Sequence, residues 1–319
     1  MITWGINALN HDASIAVFDD ANFIDHKLSS DFSGLKGDYK LSIELIQHCK
    51  QYGNPDRVVW YERPWLKKTR QLYAGQFKTV LDLEEIPKIY LKKNHINAPI
   101  KYTSHHHSHA AAGYYTSPFK EAAVVVLDAI GEWETCTIWH GVGNNLTKVW
   151  SRNYPTSLGL FYSAFTKFIG FTPVKEENLF QKLSVKGNPD TYYDYVKNYF
   201  DNTLNLKFNL HRGIKDWPFD PELKKQDKAD IAAAVQKVFE EQTNQIMILA
   251  QTITGSHNLV YMGGCAYNTL YNDSLVKKWN KVWSIQYPGD AGSSIGAVLA
   301  HTKKRIKYNY PVKHITIKL

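Results

Sequence analysis

ITWGINALNHDASIAVF, residues 2–18, and AAVVVLDAIGEWETCTIWHG, residues 122–141, decide the fold between them. In the first stretch Ile2, Trp4 and Ile6 alternate with small or polar residues, Asn10, His11 and Asp12 form a bend, and an apolar strand resumes from Ile15 to Phe18. The second stretch repeats the plan as a buried strand, a polar turn that holds Asp128 and Gly131, and a returning strand. A unit of strand, Asp-bearing turn and strand that recurs in both halves predicts two related lobes facing each other across a cleft. Strands and helices alternate through the second half, so the lobes are read as α/β units on mixed sheets. Residues 1–117 form the first lobe, 118–302 the second and 303–319 a basic tail.

Outward from these two units, IELIQHCKQYG (43–53) predicts a helix ended by Gly53, and RVVWYERP (57–64) a strand stopped by Pro64. Residues 76–94 read as helical until Pro87. SHHHSHAAAGYY (104–115) suits a helix with Ser104 as N-cap, and further helices are expected over 157–171 and 229–254. HNLVYMGGCAYNTLYN (257–272) reads as strand, glycine turn and helix start, and WSIQYPGDAGSSIGAVLAH (283–301) as strand, tight loop and helix.

Composition is that of a globular protein, 44% hydrophobic and 21% charged. The first residues show no basic, apolar signal pattern, and no run approaches the roughly 18 apolar residues of a membrane span, so an intracellular, cytoplasmic protein is expected. Cys49, Cys136 and Cys265 are odd in number, far apart and in no CxxC pair, which predicts buried free thiols. The net charge is +8, concentrated at Lys67, Lys68 and Arg70, across Lys88–Lys101, and in the tail from Lys303 to Lys318. Trp65 beside Lys67 and Lys68, and Tyr308 and Tyr310 in the tail, interleave rings with cations as single-strand binders do, so a polyanionic partner is expected.

His105 and His109 lie four apart, which on a helix puts both imidazoles on one face at chelating distance, while His106 and His107 point elsewhere. Asp128 closes an apolar strand, where side chains emerge at a sheet's C-terminal edge. Asp290 sits between a strand and a helix start, where it serves either as a ligand or as a helix cap. Two imidazoles and two carboxylates without thiolate suit iron(II), manganese or zinc equally by ligand type. The turn 128–132 offers N–H groups to phosphate oxygens, and the glycines of GGCAYN, residues 263–268, let backbone approach a ligand closely. His11, in its bend with Asp12, is a candidate for proton transfer.

Together NHDASIAV, VVWYERP, HHHSHAAAGYYTSPF, AAVVVLDAIGEWET, SLGLFYSAFTKFIGF, YMGGCAYN and QYPGDAGSSIGAVL form an ordered series that resembles the O-carbamoyltransferases of nodulation-factor and antibiotic biosynthesis. It is more distantly similar to the transferase subunit of tRNA threonylcarbamoyladenosine synthesis. The resemblance implies an actin-like, hexokinase-like fold, a duplicated ribonuclease-H-like ATPase architecture, with a metal and a carbamoyl-adenylate between the lobes. It implies His105, His109, Asp128 and Asp290 as ligands, with iron(II) the favoured ion and manganese or zinc the alternatives. His11 matches the catalytic histidine, Lys36 a lysine near the reacting group, and Gly263, Gly264 and Asn268 the turn that holds adenosine; Asp12, Gly131 and Glu132 complete the set expected at the nucleotide. Residues 177–187, ENLFQKLSVKG, depart from the family pattern, with Leu179 where a lysine is expected and Lys182 where a glycine is.

The implied reaction moves a carbamoyl group from carbamoyl phosphate, through ATP and a carbamoyl-adenylate, to a hydroxyl. The family's C-terminal adenylate-forming domain has no counterpart in these residues, so either a separate protein supplies the activated group or the two lobes make it. The expected acceptor is the hydroxymethyl group of 5-hydroxymethylcytosine in DNA, as in bacteriophage-encoded relatives, for which the location would be host cytoplasm. A sugar or nucleotide hydroxyl, or a role as nucleotide-binding subunit of a nucleic-acid modification complex, are the alternatives.

Overall fold

The computed structural model describes residues 1–202, 205–215, 217–219 and 222–308; Tyr310, Lys313 and Lys318 of the basic tail lie outside them. The first sheet contains β1 (Ile2–Asn7), β2 (Ser14–Asp19), β3 (Asn22–Leu28), β4 (Arg57–Trp60) and β5 (Ile100–Tyr102). The second contains β6 (Glu121–Leu127), β7 (Glu134–Val142), β8 (Asn145–Asn153), β9 (Asn258–Met262) and β10 (Lys281–Trp283). The strand orders are β3-β2-β1-β4-β5 and β10-β9-β6-β7-β8. In each, three antiparallel strands are followed by two parallel ones on the far side of the first strand. The predicted repeat is therefore a duplication of one sheet plan.

The helices are α1 (Ser30–Ser33), α2 (Ile43–Lys50), α3 (Pro64–Tyr73), α4 (Phe77–Leu81), α5 (Pro87–Lys93), α6 (His105–Thr116), α7 (Leu158–Phe168), α8 (Glu177–Ser184), α9 (Tyr193–Lys197), α10 (Lys225–Thr254), α11 (Thr269–Leu275) and α12 (Asp290–Thr302). Strand β6 shows how the layers are fed. Its Val124 and Val126 enter one hydrophobic core with Trp4, Ile6 and Ile295, whereas Ala123, Val125 and Leu127 enter another with Phe161 and Phe239. Alternate side chains thus serve opposite faces, and a strand buried on both reads as a continuous apolar run.

Helices α6 and α12 lie side by side between the sheets. α12 packs on β1, β2 and β4, and α6 on β6, β7 and β9. α12 belongs to the chain segment assigned to the second lobe yet rests on the first sheet, and α6 makes the reverse exchange. Their approach depends on Gly296: a Cβ there would stand 1.7 Å from the Ser108 carbonyl oxygen.

Three expectations are corrected. Pro64 and Pro87 do not end elements; each opens a helix, α3 and α5, because a first-turn amide needs no partner and the ring presets φ. The strand expected from Trp283 ends at that residue, so the path from Ser284 to Gly289 is a loop. The cationic patch near Trp65 is largely spent on structure. Lys68 is buried and donates to the carbonyls of Thr79, Val80 and Asp82, Arg70 is buried and bonds Gln76, and Lys67 pairs with Glu62. Tyr308 is likewise buried, its ring against Phe23. The three cysteines are buried and free, as expected, and burial pushes the Cys49 and Cys136 thiols up to about 12. Among the described residues no helix is long and apolar enough to cross a membrane.

Since the Ser108 carbonyl is helix backbone that cannot yield, Gly296→Ala is expected to destabilise the fold by about 3 kcal/mol, read as a lower urea midpoint.

Candidate metal centre

The N-terminal turns of α6 and α12 and the C-terminal end of β6 meet at one buried point. His105 and His109 project from α6 on one face, Asp128 follows the last residue of β6, and Asp290 is the first residue of α12. All four are buried, and one ligand atom from each lies within 4.8 Å of the others. His105 Nε2 is 3.0 Å from Asp128 Oδ2, 3.4 Å from Asp290 Oδ1 and 3.1 Å from His109 Nε2. His109 Nε2 is 3.4 Å from Asp128 Oδ2 and 3.3 Å from Asp290 Oδ1. Bonds of about 2.0–2.2 Å to a shared ion put neighbouring donors roughly 3 Å apart, so these separations fit a divalent cation. Two imidazole nitrogens 3.1 Å apart, each facing both carboxylates, are a donor set a cation would satisfy and a single proton would not.

The surrounding bonds aim these donors. Ser293 Oγ lies 3.2 Å from His109 Nδ1, which leaves Nε2 for the centre. Asp128 Oδ1 accepts from the N–H of Ala129 at 2.8 Å and of Gly264 at 3.3 Å. Asp290 Oδ2 accepts from Asn10 at 2.7 Å, and among the described residues no amide of α12 donates to it, so Asp290 is not its helix's cap. The first turn of α6 is capped instead by Glu132, both of whose oxygens accept from the His105 N–H at 3.1 Å; Ser104 occupies the N-cap position but its side chain makes no capping bond.

Charge follows geometry. Burial opposes ionisation throughout, yet the pairing outweighs it. Asp290 and Asp128 raise His105 well above the ordinary histidine value, and bonds to the same two carboxylates raise His109. Against burial, those imidazoles in turn hold Asp128, and the charge of His11 followed by the same two rings holds Asp290, well below the usual carboxylate range. His106 stands apart, bonded to Thr137 and pushed down by burial, and His107 stacks on Trp139, so both point away as expected.

His11 edges the cluster. Its Nε2 is 3.5 Å from Asp290 Oδ2 and its Nδ1 2.9 Å from Asp12 Oδ2, with the side chain 30% exposed. Burial works to lower it, but Asp290 and Asp12 prevail and raise it to about 9. The other candidate residues are held in different ways. The Gly131 N–H is committed to the Glu134 carbonyl and the Ala129 N–H to Asp128, so two amides of the 128–132 turn are not available to phosphate. Besides capping α6, Glu132 accepts from the Arg63 N–H, and burial pushes its carboxyl up. Gly263, at φ 92°, packs against the end of β6 and brings the Gly264 N–H onto Asp128. Asn268 is buried, its amide paired reciprocally with Gln236 while its oxygen caps α11. Lys36 is exposed and donates to the Lys175 carbonyl at 2.6 Å; among the described residues no contact joins it to the four donors. In the divergent 177–187 stretch, α8 buries Phe180 and leaves Leu179 exposed. Sequence reasoning missed Asn10, Ser293 and Glu62, which lies 4.0 Å from His105 Nδ1.

The family model "Carbamoyltransferase N-terminus" matches residues 61–299, a stretch that contains all four donors. The chain belongs to this carbamoyltransferase family. His11 and Lys36 precede the matched stretch. Within the wider comparison, a Synechocystis protein of uncharacterised function, sll1178, is 30% identical over 93% of this chain and 56% of its own length. Nodulation protein NolNO of Sinorhizobium fredii is 22% identical over 92% of this chain and 46% of its own. The chain thus spans about half the length of the curated relatives it matches, and resembles their carbamoyltransferase N-terminal part. Among solved structures, full-length HypF in its phosphate- and nucleotide-bound form aligns with a TM-score of 0.50 at 14% identity, covering 95% of this chain and 55% of that one. Component A of (R)-2-hydroxyglutaryl-CoA dehydratase from Acidaminococcus fermentans aligns with a TM-score of 0.50 at 12% identity, covering 95% and 98%. The architecture is the two-lobed, actin-like ATPase fold with two mixed five-stranded sheets.

Elemental analysis of the purified chain loaded with iron(II), manganese or zinc should show about one ion per chain, lost in His105→Ala and Asp128→Ala and kept in His107→Ala. Because uptake must displace protons that the carboxylates hold on His105 and His109, the apparent affinity should rise with pH, with proton release visible as a buffer-dependent heat in calorimetry.

Proposed function

We propose that this chain carries the transfer centre of an O-carbamoyltransferase. It would take a carbamoyl group activated as carbamoyl-adenylate, made from carbamoyl phosphate and ATP, and pass it to a hydroxyl. The observation that carries this reading is the buried set of two histidines and two aspartates inside the family-matched stretch. His105, His109, Asp128 and Asp290 would hold a divalent ion, iron(II) by preference, whose chemistry here is Lewis-acid polarisation of oxygen.

His11 is the group placed to move a proton. Its Nδ1 is anchored by Asp12, its Nε2 faces Asp290, and its partial exposure lets an incoming hydroxyl reach it. Asp12 orients the ring and stabilises the imidazolium that forms when Nε2 accepts the hydroxyl proton. A cation set against Asp290 and Asp128 would weaken the largest of the forces that raise His11, while Asp12 would still favour its charged form, so the ring would give up and take protons more readily. Asn10, through Asp290 Oδ2, keeps that carboxylate's other oxygen turned to the histidines. Lys36 and the turn at Gly263 and Gly264 are assigned to the donor's carbamoyl and adenosine ends. The HypF structure that shares this fold holds phosphate and nucleotide, which accords with an adenylate donor.

For the acceptor, the net charge of +8 favours a polyanion, and 5-hydroxymethylcytosine in DNA is the first to test. A base in duplex would have to leave the stack to reach a centre between lobes. The burial of Lys68 and Arg70 favours the second reading, a small-molecule hydroxyl.

Incubation with carbamoyl phosphate, ATP and hydroxymethylated DNA, with and without a relative's C-terminal half as adenylate source, followed by nucleoside mass spectrometry, should reveal carbamoyl addition. His11→Asn should lower transfer by at least 100-fold with the ion retained. An adduct on a free sugar and none on DNA would establish the small-molecule reading, and no adduct under any condition would overturn the transferase.

A further inference from the structure

Apart from the metal centre, the structure gathers rings and cations at a second place. A hollow of about 470 Å3, within the range of small-molecule sites, is formed by α9 and the segment that follows it. Tyr195, Tyr199 and Phe208 supply its rings, and Lys207, Arg212 and Lys215 its charge; among the described residues no carboxylate lines it. Among the described residues none of the three cations is in a salt bridge. This contrasts with Lys67 and Lys197, which pair with Glu62 and Glu241. Lys207 is held by Asn198 Oδ1 at 2.6 Å, a neutral partner that directs the ammonium without cancelling it.

The rings have a defined order. Tyr199 is buried, its ring centroid 5.6 Å from that of Phe208, and its hydroxyl lies 3.2 Å from that of Tyr195. Phe208 itself is 52% exposed, so a large apolar ring backed by a fixed one stands open to solvent among positive charges. A flat, half-exposed ring beside unneutralised cations matches a ligand with a planar heterocycle and a phosphate, since stacking tolerates any base and the charge holds the anion.

The hollow also connects to the metal centre. Asn209 donates to the Tyr154 hydroxyl at 2.7 Å, and the ring of Tyr154 meets Tyr73, which meets Trp133. Trp133 adjoins Glu132, the cap of the helix that carries His105. A line of aromatic side chains thus runs from the hollow to the edge of the cleft.

We propose that this hollow binds a nucleotide unit, its base stacked on Phe208 and its phosphate among Lys207, Arg212 and Lys215. The unit belongs either to a free mononucleotide or to a single-stranded nucleic acid. Neither the carbamoyltransferase reading nor the metal is needed for this binding, so its failure would leave both intact.

The test is fluorescence anisotropy of a fluorescein-labelled single-stranded oligothymidylate with the whole chain, competed by AMP and by inorganic phosphate. Binding should weaken as salt rises. Phe208→Ala should weaken it about fivefold or more, with Phe208→Trp restoring it. Combined Lys207→Ala, Arg212→Ala and Lys215→Ala should weaken it more than tenfold and flatten the salt dependence by roughly 0.7 per cation. All four positions are exposed, and circular dichroism and metal content should match the parent. Displacement by AMP identifies a mononucleotide site, whereas binding of the oligonucleotide alone identifies a single-strand site; either supports the proposal. Binding of neither, dissociation constants within twofold of the parent in these variants, or displacement by phosphate as readily as by AMP with Phe208→Ala unaffected, would overturn it.

Discussion

The close crossing of α6 over α12 is the constraint on which the molecule turns. Because residue 296 has no side chain, the second helix can rest against the Ser108 carbonyl of the first. Both helices start at the same end of this contact, so His105 and His109 face Asp290 across it, and Asp128 enters from β6 to complete the set. A bulkier spacing would separate the imidazoles from the carboxylate. The exchange of helices between lobes has the same origin: each sheet buries one face under a helix delivered by the other half of the chain, and the donors are therefore drawn from both halves.

Bringing four ionisable groups into a buried site is unfavourable unless their charges are matched. Here mutual pairing outweighs desolvation, with imidazoles raised and carboxylates lowered. Backbone, hydroxyl and amide partners hold the outer atoms of Asp128, His109 and Asp290, so each of these three turns its other atom inward, whereas His105 Nδ1 is buried without a hydrogen-bond partner among the described residues. An arrangement of this kind is poised for a doubly charged ion, which meets the two negative charges without the protons the histidines otherwise carry. His11 shares in the balance through Asp290, which ties its charge to that of the buried cluster.

Much of this was legible in the chain. The paired strand units and the helices carry strong periodicity because they are buried, and the meeting of the four buried side chains followed from an i, i+4 histidine pair and from aspartates at a strand end and a helix start. The third strand of each meander was not legible: β3 and especially β8 lie at sheet edges with few buried positions, so their apolar signal is weak. Pro64 and Pro87 mislead because proline both stops and starts helices, and only the tertiary path distinguishes the two. Asn10 and Ser293 act on residues far away in the chain, which no local pattern encodes. Charge misled at Lys68, since composition does not tell a solvated ammonium from one spent on three carbonyls, whereas the cations around Phe208 are spread through an irregular segment and stand out only once folded.

Glu132 has a mechanical meaning of its own. A single carboxylate from the second lobe's first turn clasps the backbone of Arg63 and His105, so that the exit of β4, the start of α6 and the β6–β7 turn are fastened at one buried joint. Freeing those amides would leave buried donors unmet, at about 1–3 kcal/mol each. By comparison the bond from the exposed Lys36 to the Lys175 carbonyl is a lone contact in water and weak. Glu132 therefore couples the strand exit of the first sheet to the helix turn that carries His105, so that a shift in one backbone segment is passed to the other.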